Sequence, residues 1–127
     1  MSSTPELRLI IAGGRDVPMI EGKELIALAL SGYFLHPTVI LQGGAGGIDA
    51  AAKKYAGEHF IPCEEFPAEW GKHGKAAGPI RNEQMAQYAD ALVLVWDGKS
   101  KGSANMLANA KARNLQIHEC IVQEIRT

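Results

Sequence analysis

One stretch decides the fold, Val39-Ile-Leu-Gln-Gly-Gly-Ala-Gly-Gly-Ile-Asp49. Its first four residues read as a short buried strand, and the Ala-rich run from Ile48 to His59 reads as a helix. Glycines between a strand and a helix permit positive φ angles and let backbone N–H groups approach an anion at the helix N-terminus. The loop lacks the Gly-Lys-Ser/Thr of a Walker A sequence and is not a strict G-x-G-x-x-G fingerprint. It therefore predicts either a phosphate-binding loop or a tight turn that packs helix against sheet.

The same alternation of strand and helix recurs along the chain. Further strands are predicted at Leu7–Ala12, Ile61–Phe66, Ala91–Trp96 and Leu115–His118, the last with an extension to Ile125 left open. Helices are predicted at Ile20–Phe34, Pro79–Tyr88 and Ser103–Arg113, with Ser103 as N-cap. Nearly continuous apolar strands predict burial on both faces. The expected fold is α/β: a single three-layer domain over residues 1–127, with a mainly parallel five-stranded sheet and helices on both faces.

Composition narrows the class of protein. The 127 residues are 46% hydrophobic and 21% charged, and 13 Lys and Arg against 14 Asp and Glu leave a net charge of −1. This balance argues against a polyanion-coating protein, so a nucleic-acid partner is not expected. Without a signal peptide or an apolar run of membrane length, the chain is expected to be cytoplasmic and to have no membrane partner. Cys63 and Cys120 are expected to be reduced, buried apolar fillers, and no metal-ligand spacing is present.

Glycine is the outlier in composition, with 14 residues. Eleven fall in predicted strand-to-helix loops, which parallel topology gathers at the carboxyl edge of the sheet, where ligands of such folds bind. The predicted ligand-binding residues are therefore those of these loops and the helix starts beside them: Gly13, Gly14, Arg15, Asp16, Gly43, Gly44, Ala45, Gly46, Gly47, Asp49, Lys75, Gly78, Arg81, Asn82, Asp97, Gly102, Ser103 and Asn105.

Within this set, the backbone of residues 43–47 is expected to hold a phosphate that Arg15, Lys75 and Arg81 neutralise. Asp49 is expected either to stabilise its helix through the dipole or to contact a ribose hydroxyl or a metal such as Mg²⁺. The stretch Trp70–Asn82, which carries Lys72, Lys75 and Arg81, is predicted as a pliable basic lid, with a disordered basic surface loop as the alternative. Replacing Arg81 with alanine is expected to remove binding while leaving the unliganded protein nearly as stable.

Three of these segments resemble the YspA-like branch of the SLOG superfamily: Gly13-Gly-Arg-Asp16, Gly43-Gly-Ala-Gly-Gly-Ile-Asp49 and Lys72-His-Gly-Lys-Ala-Ala-Gly-Pro-Ile-Arg-Asn82. The resemblance extends from about Leu7 to Ile117. It implies a Rossmann-like domain that binds a nucleotide or a nucleotide-derived phosphate ligand. It also implies self-association into a homo-oligomer.

The superfamily includes the LONELY GUY phosphoribohydrolases, whose catalytic glutamate follows the fourth strand. Met106 occupies the matching position, which puts that reaction in doubt, although Arg81 matches an arginine of those enzymes. Hydrolysis of the N-glycosidic bond of a nucleoside monophosphate stays an alternative, with Asp49, Asp97 and Arg81 as catalytic candidates. A second alternative is single-stranded nucleic-acid binding, as in the related protein DprA.

Overall fold

The computed structural model describes residues 5–122. Its strands are β1 (Arg8–Gly13), β2 (Val39–Gln42), β3 (Cys63–Glu65), β4 (Ala91–Trp96) and β5 (Gln116–Ile121). Its helices are α1 (Met19–Gly32), α2 (Ile48–Glu58), α3 (Trp70–His73), α4 (Ala77–Tyr88) and α5 (Lys101–Ala112), and a 3₁₀ turn (Gly74–Ala76) joins α3 to α4. The strands form one parallel sheet in the order β3-β2-β1-β4-β5, which confirms the predicted fold class.

The central strands are buried on both faces, which explains their continuous apolar sequence. In β1, Leu9 and Ile11 pack in a core with α1 and α2, whereas Ile10 packs with α4 and α5 on the opposite face. Every residue of β4 is buried. The predicted bounds of β2 and β4 agree with the structure, and β5 extends to Ile121, beyond the predicted His118. The open part of that prediction, residues 123–125, lies outside the described residues.

The order of the strands reverses between β1 and β4, and ligands of such sheets bind at this switch point. The N–H of Gly14 donates to the carbonyl of Val95 over 3.0 Å. A β-carbon on Gly13 would lie 1.9 Å from the same oxygen. The turn after β1 thus lies directly on the end of β4, and the open space at this edge is displaced toward β2 and β3.

The prediction of a loop from Trp70 onward is wrong, because the chain is helical there. That this segment acts as a lid stays a prediction. The N–H groups of Lys72 and His73 both donate to the carbonyl of Glu69, at 3.0 and 2.9 Å, and so begin α3. Gly74, at φ +56°, provides the break before the 3₁₀ turn. Pro79 lies in the first turn of α4, where its missing N–H has no helical acceptor to lose. Glycine in this segment therefore shapes a turn between helices.

Two smaller predictions are also wrong. Helix α5 has Ser100 as N-cap, while Ser103 is buried inside its first turn. The Asp97 carboxylate turns the chain into this helix by accepting from the N–H groups of Lys99 and Ser100, at 2.8 and 3.0 Å. Cys63 is exposed because β3 is an edge strand, so this thiol is not a core filler. Cys120 is half-buried and packs against the core formed with α1 and α2. Among residues 5–122, no helix has the length and apolar character to cross a membrane.

Candidate functional site

A pocket of about 140 Å³ opens at the carboxyl ends of β1, β2 and β3. We call it the Arg81 pocket. It is lined by Arg15, Gly43, Gly44, Ala45, Pro67, Ala68, Trp70 and Arg81. Arg15 comes from the turn after β1, and residues 43–45 come from the loop after β2. Pro67 and Ala68 follow β3, Trp70 begins α3, and Arg81 belongs to α4. Five of the predicted site residues thus meet around one cavity.

Arg81 is 8% exposed and reaches this pocket from the first half of α4. Its Nη1 donates to the carbonyls of Gly43 at 2.6 Å and Phe66 at 3.4 Å, and its Nε donates to Oδ1 of Asn82 at 2.9 Å. Burial lowers the pKa of the guanidinium from its ordinary value, which lies far above neutrality. Within residues 5–122, Nη2 donates to no protein acceptor, so this nitrogen is available to a ligand.

Gly43 is required by that arrangement. A β-carbon at this position would lie 2.2 Å from Nη1 of Arg81 and 3.1 Å from Oδ2 of Asp49. Any side chain would therefore expel the guanidinium. The glycine permits an arginine from α4 to sit against the end of β2, 38 residues away in sequence.

The predicted phosphate cradle is only partly free. The N–H of Gly44 donates to Oε1 of Gln42 at 2.6 Å, and the N–H of Ala45 donates to Oδ2 of Asp49 at 3.2 Å. The buried Gln42 side chain is itself held by Oε1 of Glu65, 3.0 Å from its Nε2. Two of the expected donors are therefore occupied by protein side chains. Within the described residues, the N–H groups of Gly46 and Gly47 have no protein acceptor.

At Gly47 the loop forms the tight turn that the sequence offered as the alternative to a phosphate-binding loop. Its φ is +64°, and a β-carbon there would lie 2.1 Å from the carbonyl oxygen of Gly14. That oxygen accepts from the N–H of Ile48, at 3.1 Å, at the start of α2. The loop after β2 thus packs α2 against the turn after β1 at one end, and lines the Arg81 pocket at the other.

Asp49 is 8% exposed and lies behind the pocket wall. Burial raises the pKa of its carboxyl group, while hydrogen bonds from Ala45 and Gly43 and the positive charges of Arg81 and Arg15 oppose that rise. The carboxyl group is therefore a buried partner of the loop, and it does not line the pocket. Among residues 5–122, no three His, Cys, Asp or Glu side chains converge on a metal-sized site.

Asn82 and Asn105 join α4 to α5 behind Arg81. The Nδ2 of Asn82 donates to Oδ1 of Asn105 at 3.0 Å and to the carbonyl of Gly102 at 3.4 Å. Asn109 donates to the same Oδ1 at 3.2 Å. Asn82 and Asn105 are predicted ligand contacts, but they lie outside the pocket lining. Asn82 instead positions Arg81 by accepting from its Nε.

The other predicted residues lie at or near the sheet edge but outside this lining. They include Asp16 beside Arg15, Lys75 on the 3₁₀ turn, Gly78 in α4, and Asp97 and Ser103 at the start of α5. Met106 is 1% exposed and packs in the core with Ile10 and Leu94. The position that carries the LONELY GUY glutamate thus faces the core of this protein.

Sequence reasoning missed Trp70, Pro67 and Ala68 as pocket residues. Trp70 is 53% exposed and lines the pocket. Within residues 5–122, its ring stacks on no other aromatic ring. An available signal was the tryptophan at the head of a stretch rich in glycine and lysine. Gln42 was missed as well, although a buried glutamine at a strand end needs hydrogen-bond partners.

Comparisons with known proteins agree with this architecture. The X-ray structure of DNA processing protein A (DprA) from Streptococcus pneumoniae superposes with a TM-score of 0.73 at 18% sequence identity, over 94% of this chain and 52% of that one. The present chain thus spans about half the length of that protein, and the likeness shows a shared fold. Comparison with curated proteins gave no match. Residues 7–73, more than half of the 127, match the family described as YspA, cpYpsA-related SLOG family, and the chain therefore belongs to that family.

Proposed function

We propose that this protein binds a nucleotide or a nucleotide-derived phosphate ligand in the Arg81 pocket. One observation carries the proposal: two arginines, Arg15 and Arg81, line one cavity together with the loop residues Gly43, Gly44 and Ala45. Guanidinium groups bind phosphate oxygens through paired, charge-assisted hydrogen bonds. Glycine backbone lets a bulky anion approach without steric conflict.

The proposal is supported by the fact that one of the two arginines is already held in place by the protein. Arg81 is held by three protein acceptors, so binding does not have to immobilise that side chain. Arg15 is exposed and free to close over a bound anion. The cavity of about 140 Å³ is smaller than the roughly 300–1,000 Å³ typical of whole small-molecule sites. It suits a phosphate group with part of its sugar, with the remainder of the ligand outside.

The test is a thermal-shift and calorimetric titration with inorganic phosphate, ribose 5-phosphate and nucleoside mono- and diphosphates, each with Mg²⁺ and with EDTA. A ligand at 100 times its Kd adds about 2.7 kcal/mol, a midpoint rise on the order of 10 °C for a chain of this size. Arg15→Ala should weaken binding by roughly tenfold or more, since a charge-assisted hydrogen bond contributes about 1.5–3 kcal/mol. Lys99→Ala removes the same charge outside the pocket lining and should leave affinity unchanged.

Two outcomes would end the proposal. One is the absence of a shift with every phosphate compound; the other is equal affinity for the wild type and Arg15→Ala. Tight binding of an oligo-dT strand, with affinity that falls steeply as salt rises, would instead favour nucleic-acid binding.

Arg81 is a poorer probe than the sequence implied. Its buried hydrogen bonds to Gly43 and Asn82 mean that Arg81→Ala would leave acceptors unpaired and lower the stability of the unliganded protein. A lost thermal shift in that variant would not distinguish a loss of binding from a loss of stability. The exposed Arg15 avoids this.

A second candidate function, hydrolysis of a nucleoside monophosphate to free base and ribose 5-phosphate, is favoured by one observation. Burial raises the pKa of the Asp49 carboxyl group, as a general acid requires, and the Gly43 wall would have to move to bring this group to the substrate, because Asp49 does not line the pocket. Asp97 is less suited, because hydrogen bonds from Lys99 and Ser100 lower its pKa and keep it ionised. Release of free base by the wild type and its loss in Asp49→Asn would support this function. Intact nucleotide after prolonged incubation, with binding retained, would reject it.

A further inference from the structure

We propose that Trp70 is the stacking surface for an aromatic base, so that the ligand is a nucleotide held by its phosphate inside the Arg81 pocket and by its base against the indole outside. This rests on the proposed function and goes further, because it names a ligand with an aromatic ring and assigns a residue to it.

The first support is the state of the indole. Trp70 is 53% exposed and lines the pocket with Arg15 and Arg81. Within residues 5–122 its ring stacks on no other aromatic ring, and its Nε1 donates no hydrogen bond. Trp96, the other tryptophan, is 6% exposed and donates from Nε1 to Oε2 of Glu119 at 2.7 Å. The indole N–H of Trp96 is thus used by the fold, whereas the indole of Trp70 lies at the mouth of a cationic cavity.

The second support is that Trp70 is held in place. It is the first residue of α3, and its carbonyl accepts from the N–H of Gly74. A β-carbon on Gly78 would lie 3.5 Å from Cη2 of the indole, so the ring rests on the first turn of α4. A ring fixed at its edge and open on its surface binds a base with little loss of conformational freedom.

The third support is size. A cavity of about 140 Å³ cannot enclose a phosphate, a ribose and a base together. The base must therefore lie outside, and Trp70 is the aromatic residue among those lining the mouth. Stacking accepts any base, because every base presents a π face. The geometry thus points to nucleotides as a class.

The experiment compares two probes, ribose 5-phosphate and AMP, by calorimetry on the wild type, Trp70→Leu and Trp70→Phe. Removal of an aromatic side chain that stacks on a base weakens binding roughly 5- to 100-fold. AMP should therefore bind Trp70→Leu at least about fivefold more weakly, and Trp70→Phe at close to wild-type affinity. Ribose 5-phosphate, which has no base, should bind all three proteins equally. Phe60→Leu is the matched control, because Phe60 is an exposed aromatic residue outside the pocket lining.

Fluorescence gives an independent measurement. In Trp96→Phe the only indole is Trp70, and AMP should quench its emission while ribose 5-phosphate should not. Equal loss of affinity for both probes in Trp70→Leu would overturn the inference, as would unchanged AMP affinity. In either case ribose 5-phosphate binding by the wild type leaves the phosphate site standing. Failure of both probes to bind the wild type would reject the phosphate site and the stacking surface together.

Discussion

At the scale of single residues, the loop after β2 uses glycine for two separate reasons. Gly43 leaves room for the guanidinium of Arg81, whereas Gly47 supplies both a positive φ and close contact with the carbonyl of Gly14. Alanine at Gly47 would meet strain from the backbone and from the contact at once. Rigid backbone atoms form that contact, so a side-chain rotation cannot relieve it.

We expect Gly47→Ala to lower the free energy of unfolding by about 2–4 kcal/mol. Gly57→Ala is the matched control, because Gly57 lies within α2 and a β-carbon there meets nothing within 4 Å. Alanine at that position should raise the free energy of unfolding by about 0.5–1 kcal/mol through helix propensity. Urea denaturation measures both variants. Similar effects of the two substitutions would contradict the assigned role of Gly47.

A second residue-scale prediction concerns the buried carboxyl group of Asp49. Its pKa in the folded protein is raised above the ordinary value of 3.8, so the folded state takes up a proton at higher pH than the unfolded state does. The contribution of Asp49 to the free energy of unfolding therefore rises as pH falls toward 3.8 and is lower at neutral pH. Asp49→Asn removes the titration and keeps an oxygen to accept from Ala45.

The variant should therefore exceed the wild type in stability most at pH 7, and the difference should shrink as pH falls toward 4. Denaturation curves at pH 7, 5.5 and 4 measure it. Asp90 and Asp97, whose pKa values are lowered, cancel because both proteins carry them. A difference that is constant with pH would show that burial of the charge does not govern Asp49.

At the scale of elements, α5 connects the pocket to the core. One side of the helix carries Asn105, which holds Asn82, and the next residue, Met106, packs between α5 and the sheet. Neighbouring residues of a helix point about 100° apart, so consecutive positions serve different surroundings. The residue that would be catalytic in a LONELY GUY enzyme is thus committed here to packing.

We expect Met106→Glu to lower the free energy of unfolding by about 3–5 kcal/mol, or to prevent folding, because it buries an unpaired charge. It should therefore not create hydrolytic activity. Met106→Leu keeps apolar volume and should cost less than about 1.5 kcal/mol. Circular dichroism melting separates the two. A well-folded glutamate variant that releases base would show that α5 can present this position to the ligand.

At the scale of the whole molecule, helix α1 exposes two large apolar side chains, Ile20 and Leu28, which lie on one side of the helix, about 80° apart. Other residues of this helix pack on the sheet and α2. Exposed apolar patches often mark protein interfaces. Self-association, which the family resemblance implies, stays a prediction, and α1 is the element on which we expect it.

Sedimentation velocity over a range of concentrations should therefore show a species larger than the 13.6 kDa chain. Replacing Ile20 and Leu28 together with serine should shift the protein to monomer, without a large change in its melting midpoint, because both side chains are exposed. A monomer at all concentrations would refute the expectation. An unchanged assembly in the double variant would show that α1 does not form the interface.

Sequence patterns predicted the parallel sheet well because they follow from local backbone geometry. The unbroken burial of β2 and β4 is visible as apolar runs, and their bounds were predicted correctly. The same reasoning failed from Trp70 to Ala76, where glycine and lysine indicated a loop. A single helical turn depends on a few hydrogen bonds, here to the carbonyl of Glu69, and composition does not reveal these.

The sequence by itself determined that glycine-rich loops gather at one edge of a parallel sheet, since strand order and handedness leave no other place for them. Only the tertiary structure decided where that edge is open. Arg15, Gly43 and Arg81 meet around the cavity, and Gln42 and Asp49 occupy the N–H groups of Gly44 and Ala45. Such contacts join residues that are distant in sequence or compete for one donor. The sequence thus predicted an anion-binding edge with Arg15 and Arg81, whereas packing alone placed Trp70 at the same cavity.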